Sequence, residues 1–190
     1  MSARPRRRKL PLPIRTARLE LREFTAGDEA DVVAYSSDPQ VTRHLLQGQR
    51  DARAAALHLA AVLRQRCAPT RRAWELAVTL AGDGRLVGAC DLTLVAPREA
   101  VIGYLLRPAH WRRGYGTEVA AALVQAAFER LAVSRVSSMV AVDNERSARV
   151  LTRAGLRWEA MLRRYGRIGN RWLDVHVYAM ERELWERSRA

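Results

Sequence analysis

Around residue 18 the chain begins to alternate. Leu19 and Leu21 fall between Arg18, Glu20 and Arg22 in RLELREF (18–24), the period of a strand with one face on a core. TAGDEADVVAYSSD follows, with Thr25 as a cap and Asp28 three residues on, and reads as a helix. Asp38-Pro39 ends it, because proline disfavours helical backbone in the residue before it. A second helix is predicted over 50–66, with Ala56, Leu59, Ala60 and Leu63 on one stripe. WELAVTL (74–80), Gly82-Asp83-Gly84 and LVGACDLTLV (86–95) read as strand, turn and strand, a hairpin that EAVIGYLL (99–106) extends into a meander.

After Pro108 the period lengthens. Val119, Ala120, Leu123, Val124, Ala127 and Leu131 recur at helical spacing, with Glu118, Ala122, Gln125 and Glu129 on the wetter face. RVSSMVAV (135–142) is a strand, and NERSARVLTRAG (144–155) a helix capped by Asn144 and stopped by Gly155. LRWEAMLRRYG and LDVHVYAMERELW close the chain as two antiparallel strands. The order β-α-α-β-β-β-α-β-α-β-β predicts an α/β fold with a mixed, mostly antiparallel, seven-stranded sheet and flanking helices. A right-handed crossover makes 99–106 and 135–142 parallel at its centre. One domain over 15–190 is expected, behind a basic tail over 1–14 that reads as disordered.

Composition changes this picture little. At 190 residues the chain can bury a sizeable core, and 48% hydrophobic with 28% charged residues is ordinary for a soluble protein. Cys67 and Cys90 form no CxxC or zinc-spaced cluster, which suits a reduced cytoplasm; Cys90 reads as a small buried hydrophobe. Pro11 and Pro13 interrupt the short apolar run of the N-terminus, so neither a signal peptide nor a membrane span is expected. The net charge of +13, with Arg4, Arg6, Arg7, Arg8 and Lys9 at the start, favours polyanions such as nucleic acid, ribosomes or a phosphorylated cofactor. Lys9 is the one lysine, and near-exclusive arginine with abundant alanine also follows from a GC-rich genome.

The stretch RRGYGTE (112–118) sits where open α/β sheets place ligands, beyond the carboxyl end of a strand and at the start of a helix. A helix N-terminus offers free N–H groups and a partial positive charge. Glycines let a phosphate approach them, and Arg112 and Arg113 add charge-assisted bonds. The stretch therefore reads as a pyrophosphate cradle, with a tight glycine-closed turn as the alternative.

TARLELREF, VIGYLLRPAHWRRGYGTE, NERSARVLTRAGL and DVHVYAMERELW, in this order and spacing, resemble the GNAT N-acetyltransferases, especially the RimJ/RimL-like branch that acetylates ribosomal-protein N-termini. The resemblance implies the GNAT fold, with acetyl-CoA as co-substrate in the cradle. Backbone N–H groups of Arg112, Arg113, Gly114, Tyr115, Gly116 and Thr117 would hold the pyrophosphate. Leu106 and its neighbours would meet the pantetheine arm, with Asn144 and Ser147 nearby. Trp111 stands at the first motif position, where the family pattern has Gln or Arg.

Direct acetyl transfer to an amine needs a base for the ammonium proton, a main-chain N–H near Leu106 for the oxyanion, and an acid for the departing thiolate. Glu99 is the first candidate base; it lies two residues before Val101, which occupies the position where many relatives carry glutamate. Asp91 is the second, and a water chain the alternative to both. The family's acid tyrosine corresponds to Leu151, so Ser147 is the substitute. Tyr104 and Asp174 read as structural, and His176 as a residue of a polar sheet face. The acceptor expected is a primary amine, foremost a protein N-terminal α-amine, alternatively an amino acid, polyamine or antibiotic. A non-catalytic ribosome- or RNA-binding module is the contrasting reading. Pairing of the last strands across a dimer stays open.

Overall fold

The computed structural model describes residues 10–45, 48–68 and 70–189. Its strands are β1 (Ile14–Arg15), β2 (Leu19–Glu23), β3 (Ala73–Leu80), β4 (Leu86–Ala96), β5 (Glu99–Leu106), β6 (Arg135–Ala141), β7 (Arg157–Ile168) and β8 (Arg171–Glu181). They form one sheet in the order β1-β2-β3-β4-β5-β6-β8-β7, in which only β5–β6 is parallel. The seven predicted strands and the parallel crossover are present. The eighth, β1, is two residues long and too short to leave a period.

Helices α1 (Glu29–Ser36), α2 (Pro39–Thr42) and α3 (Ala52–Gln65) cover one face; α4 (Tyr115–Arg130) and α5 (Glu145–Arg153) cover the other. Pro39 both stops α1 and starts α2, since Asp38 caps the new helix by accepting from Gln40 N–H at 2.8 Å. The buried stripe of α3 is Ala55, Leu59 and Val62, turned slightly from the predicted one. Residues 182–185, expected to extend the last strand, instead start helix α6 (Arg182–Arg187). Arg182 stops the strand by donating to Val133 O and Phe128 O.

All six apolar positions predicted for α4 are buried, and so are Ala122 and Ala126. The chain before β1 explains the extra face. Leu10 is buried in the same core, and Leu12 and Ile14 pack against it. Of the predicted tail, residues 1–9 lie outside the described residues, whereas 10–14 form this arm along α4. Cys90 is buried in the main core as expected. Among the described residues no helix is long and apolar enough to cross a membrane.

Candidate active site

The central parallel pair is short. β5 and β6 are in register at Glu99↔Arg135, Ala100↔Val136 and Val101↔Ser137, yet both strands run further. The Arg107 N–H bonds to Val87 O on β4, so strand alternation turns the main-chain groups of Tyr104 and Leu106 towards the gap beside β6. Leu106 O accepts from the Trp111 indole N–H at 2.7 Å. Through that bond the tryptophan of the motif ties the loop after β5 to the strand end. The Arg146 guanidinium lies over the same ring, 5.5 Å from its centroid.

The loop then enters α4 through two left-handed residues, Arg112 (φ 60°) and Gly114 (φ 81°). The first helical bond runs from Glu118 N–H to Gly114 O at 3.1 Å, so the N–H groups of 114–117 precede the ladder. Arg112, Arg113 and Gly114 are exposed, and Tyr115 and Thr117 half-buried. A Cβ at Gly114 would stand 3.2 Å from Arg18 Nη2, in front of the helix end. This turn, with N–H groups free of the helical ladder and Arg112 and Arg113 exposed beside them, offers the donors a pyrophosphate needs. Gly116 has another reason to be glycine: it is buried, and a Cβ there would press on Val150 and Tyr104. It lets α4 pack tightly against α5 and β5.

Sequence reasoning missed the second layer of this turn. Arg18 donates to Arg113 O at 2.9 Å and to Glu118 Oε2 at 2.8 Å, and its guanidinium lies 4.8 Å from the Tyr115 ring centroid. Glu118 Oε1 also accepts from Thr16 Oγ1 at 2.6 Å and from Arg18 N–H at 2.9 Å. Burial opposes ionisation of Glu118, but the bonds from Thr16 and Arg18 outweigh it and hold the carboxyl below its ordinary range. Thr16 and Arg18 come from a corner a hundred residues away, and no local period signals such a contact.

On the α4–α5 side of the gap, Asn144 caps α5 by accepting from Ser147 N–H at 3.2 Å. The Ser147 hydroxyl lies 2.7 Å from the Tyr104 hydroxyl. Burial pushes the Tyr104 phenol up to about 12, with Ser147 pulling it back, so it is neutral at physiological pH. Tyr104, read from sequence as packing, therefore joins the hydroxyl pair at the gap.

The two candidate bases separate. Glu99 is exposed at the first residue of β5, paired across to Ala96 and Arg135, at the opposite end of the strand from Leu106. Seven residues of extended chain span roughly 23 Å, so the structure does not bring Glu99 to the gap. Asp91, on β4, lies directly opposite Gly103. A Cβ at Gly103 would overlap Asp91 Oδ1, so the carboxyl leans over the glycine towards β5. Glu75 and Asp91 occupy paired positions on the α1/α3 face. Burial first, and the Glu75 charge second, push Asp91 up to about 6. Asp174 accepts from Arg164 N–H at 2.7 Å, a hairpin contact, and His176 packs edge-on to Trp158 and Tyr178.

A short parallel register with a glycine-closed helix entry at its open end is a ligand site of the kind open α/β sheets carry, and comparison with known proteins gives its class. Residues 18–157 match the Acetyltransferase (GNAT) domain family. The chain is 30% identical over 173 residues to the uncharacterized N-acetyltransferase YoaA of Bacillus subtilis, covering 88% of this chain and 95% of that one. Mycobacterium smegmatis RimJ, solved in complex with CoA-disulfide, superposes with a TM-score of 0.76 at 24% identity over 87% of this chain and 82% of that one. Vibrio cholerae spermidine N-acetyltransferase, solved with CoA and spermine, gives 0.76 at 17% identity over 90% and 99%. The chain belongs to the GNAT acetyltransferase family and is an N-acetyltransferase. Acetyl-CoA is the family's co-substrate, and it supplies the acetyl thioester.

Proposed function

We propose that the chain acetylates a single primary amine, foremost a protein N-terminal α-amine, as in the RimJ/RimL-like branch, and does so in the cytoplasm. The observation that carries the site is the short β5–β6 register: the gap beyond Val101 is flanked by Asp91 on the α1/α3 face and by Ser147 on the α4–α5 face. Residues 112–117 hold the pyrophosphate, and the Leu106 N–H faces the thioester carbonyl. Asp91 takes the proton from the acceptor ammonium. Ser147, backed by the Tyr104 hydroxyl, donates towards the departing sulfur. Glu99, the first candidate from sequence, has no part in this arrangement.

The acceptor reading rests on charge. Between α2 and the β7–β8 hairpin, Arg171 donates to Arg43 O at 3.4 Å and to Asp143 Oδ2 at 3.3 Å, with His44 Nδ1 3.1 Å from Asp143 Oδ1. The chain's net positive charge disfavours polyamines, while the half-buried Asp91 carboxylate suits one ammonium. A small-molecule amine of low charge is the second reading.

The test is a panel of N-terminal peptides, amino acids and polyamines with acetyl-CoA. Peptides should be the better acceptors. Asp91→Asn should lower kcat about 10²–10⁴-fold without changing acetyl-CoA affinity, and should remove the acid limb expected of the wild type near pH 6. Preference for polyamines would overturn the acceptor; an unchanged kcat in Asp91→Asn would overturn the base.

A further inference from the structure

Asp91 is not alone on its face. Glu75 stands opposite it on β3, and the Glu75 Oε1 atom lies 2.6 Å from His58 Nε2 on α3. Above them α1 brings Tyr35, buried and influenced by Glu75, Arg50, Asp28 and Asp31, with its phenol pushed up by burial so that it stays neutral. The neighbour on the β5 side is Gly103, which carries no charge. Cys90, next along β4, faces the opposite core and is held protonated by burial. Glu75 is the charged group that acts on Asp91, with His58 bonded to it, while Arg50, Asp28 and Asp31 act on Tyr35. Glu75 and His58 are each half-buried and lie between Asp91 and the surface of α3. Cysteine and leucine fill the same positions on the other face, so the sheet itself has no need of a carboxylate pair here.

We propose that Glu75 and His58 are positioning residues for the base: His58 fixes the Glu75 carboxylate beside Asp91, and Glu75 is the negative neighbour that strengthens Asp91 as a proton acceptor. The inference rests on the reading of Asp91 as the base. In the step it serves, an N–H bond of the acceptor ammonium breaks and an O–H bond forms on Asp91. The electron pair stays on nitrogen, which becomes the nucleophile. A lone buried carboxylate would be raised by desolvation alone. A second carboxylate in direct cross-strand register adds repulsion that a proton on either carboxyl relieves, and the bond from His58 to Glu75 leaves Asp91 as the one to take it. The histidine keeps Glu75 itself from turning away into solvent, because an ion pair or hydrogen bond of this length fixes the side chain's torsions.

The direct measurement is a carbon-detected carboxyl titration of the full chain, with the Asp91 resonance assigned by its loss in Asp91→Asn. The Asp91 midpoint should lie near 6 in the wild type and fall by roughly half a unit to one unit in Glu75→Gln. Glu75→Asp should restore part of the shift. His58→Gln should move the midpoint when Glu75 is present and leave it unmoved in the Glu75→Gln background. With a peptide acceptor, the acid limb of kcat/KM should follow the same order, while acetyl-CoA affinity stays constant. An Asp91 midpoint unmoved by Glu75→Gln overturns the inference and leaves the base standing. A His58→Gln effect that persists without Glu75 overturns the histidine's part. An acid limb that survives in Asp91→Asn overturns the base reading, whatever the titration shows.

Discussion

Asp91 and Gly103 illustrate what a residue pair across two strands can encode. Glycine at 103 is required by its neighbour, since the space a Cβ would fill is occupied by Asp91 Oδ1. Gly103→Ala should displace the carboxyl and cost about 1–3 kcal/mol in stability. It should lower kcat while leaving acetyl-CoA affinity intact, because the added methyl faces α1 and α3 rather than the cradle. In an Asp91→Ala background the same substitution should cost clearly less, and a double-mutant cycle by denaturant unfolding reads the difference. Independent effects of the two changes would show that the glycine is there for another reason. Asp91 was legible as a candidate because a carboxylate in an otherwise apolar strand stands out. The contact that aims it was not, since cross-strand register is fixed by turns and bulges. Glu99 shows the converse: alternation puts it on the right face, but it is the first residue of β5, at the end of the strand opposite the cradle.

At the scale of elements, the cradle depends on how α4 is seated. The start of α4, its apolar stripe and the glycine turn were all readable, because period and helix-end chemistry are local. The support from the β1–β2 corner was not, because Glu118 on the helix looks like a solvated first-turn acid until Thr16 and Arg18 are folded onto it. Its folded pKa is depressed below the ordinary 4.5. The stabilisation from its ionised form is therefore present above the unfolded value and is lost as pH falls through the folded one. Glu118→Gln should thus be less stable than the wild type by about 1 kcal/mol at pH 7, with the gap closing as the solution becomes strongly acid. Urea unfolding at neutral and acid pH measures this. A gap that does not change with pH would place the stabilisation in packing rather than in the carboxylate. The N-terminal arm teaches the same lesson: residues 10–14 lack any period, yet they cover the second face of α4 and bury Ala122 and Ala126.

For the whole molecule, the fold class was almost fully legible because each element carries its own period and the topology rules leave few ways to join them. Charge is the property that acts at this scale. The chain carries +13, and the cradle adds a helix terminus to Arg18, Arg112 and Arg113, so a polyanionic co-substrate should dock with a large part of its free energy from phosphate contacts. Saturation at about a hundred times the dissociation constant stabilises a folded protein by roughly 2.7 kcal/mol, and each kcal/mol raises the melting temperature by about 2–4 °C for a chain of this size. Acetyl-CoA should therefore raise the melting temperature by roughly 5–10 °C, and ATP at equal concentration by much less, because it lacks the arm that fills the β5–β6 gap. Gly114→Glu should abolish the shift, since a carboxylate at a left-handed residue before the free N–H groups both strains the turn and occupies the phosphate site. Equal shifts with acetyl-CoA and ATP would mean that charge alone governs binding and that the gap between β5 and β6 contributes nothing.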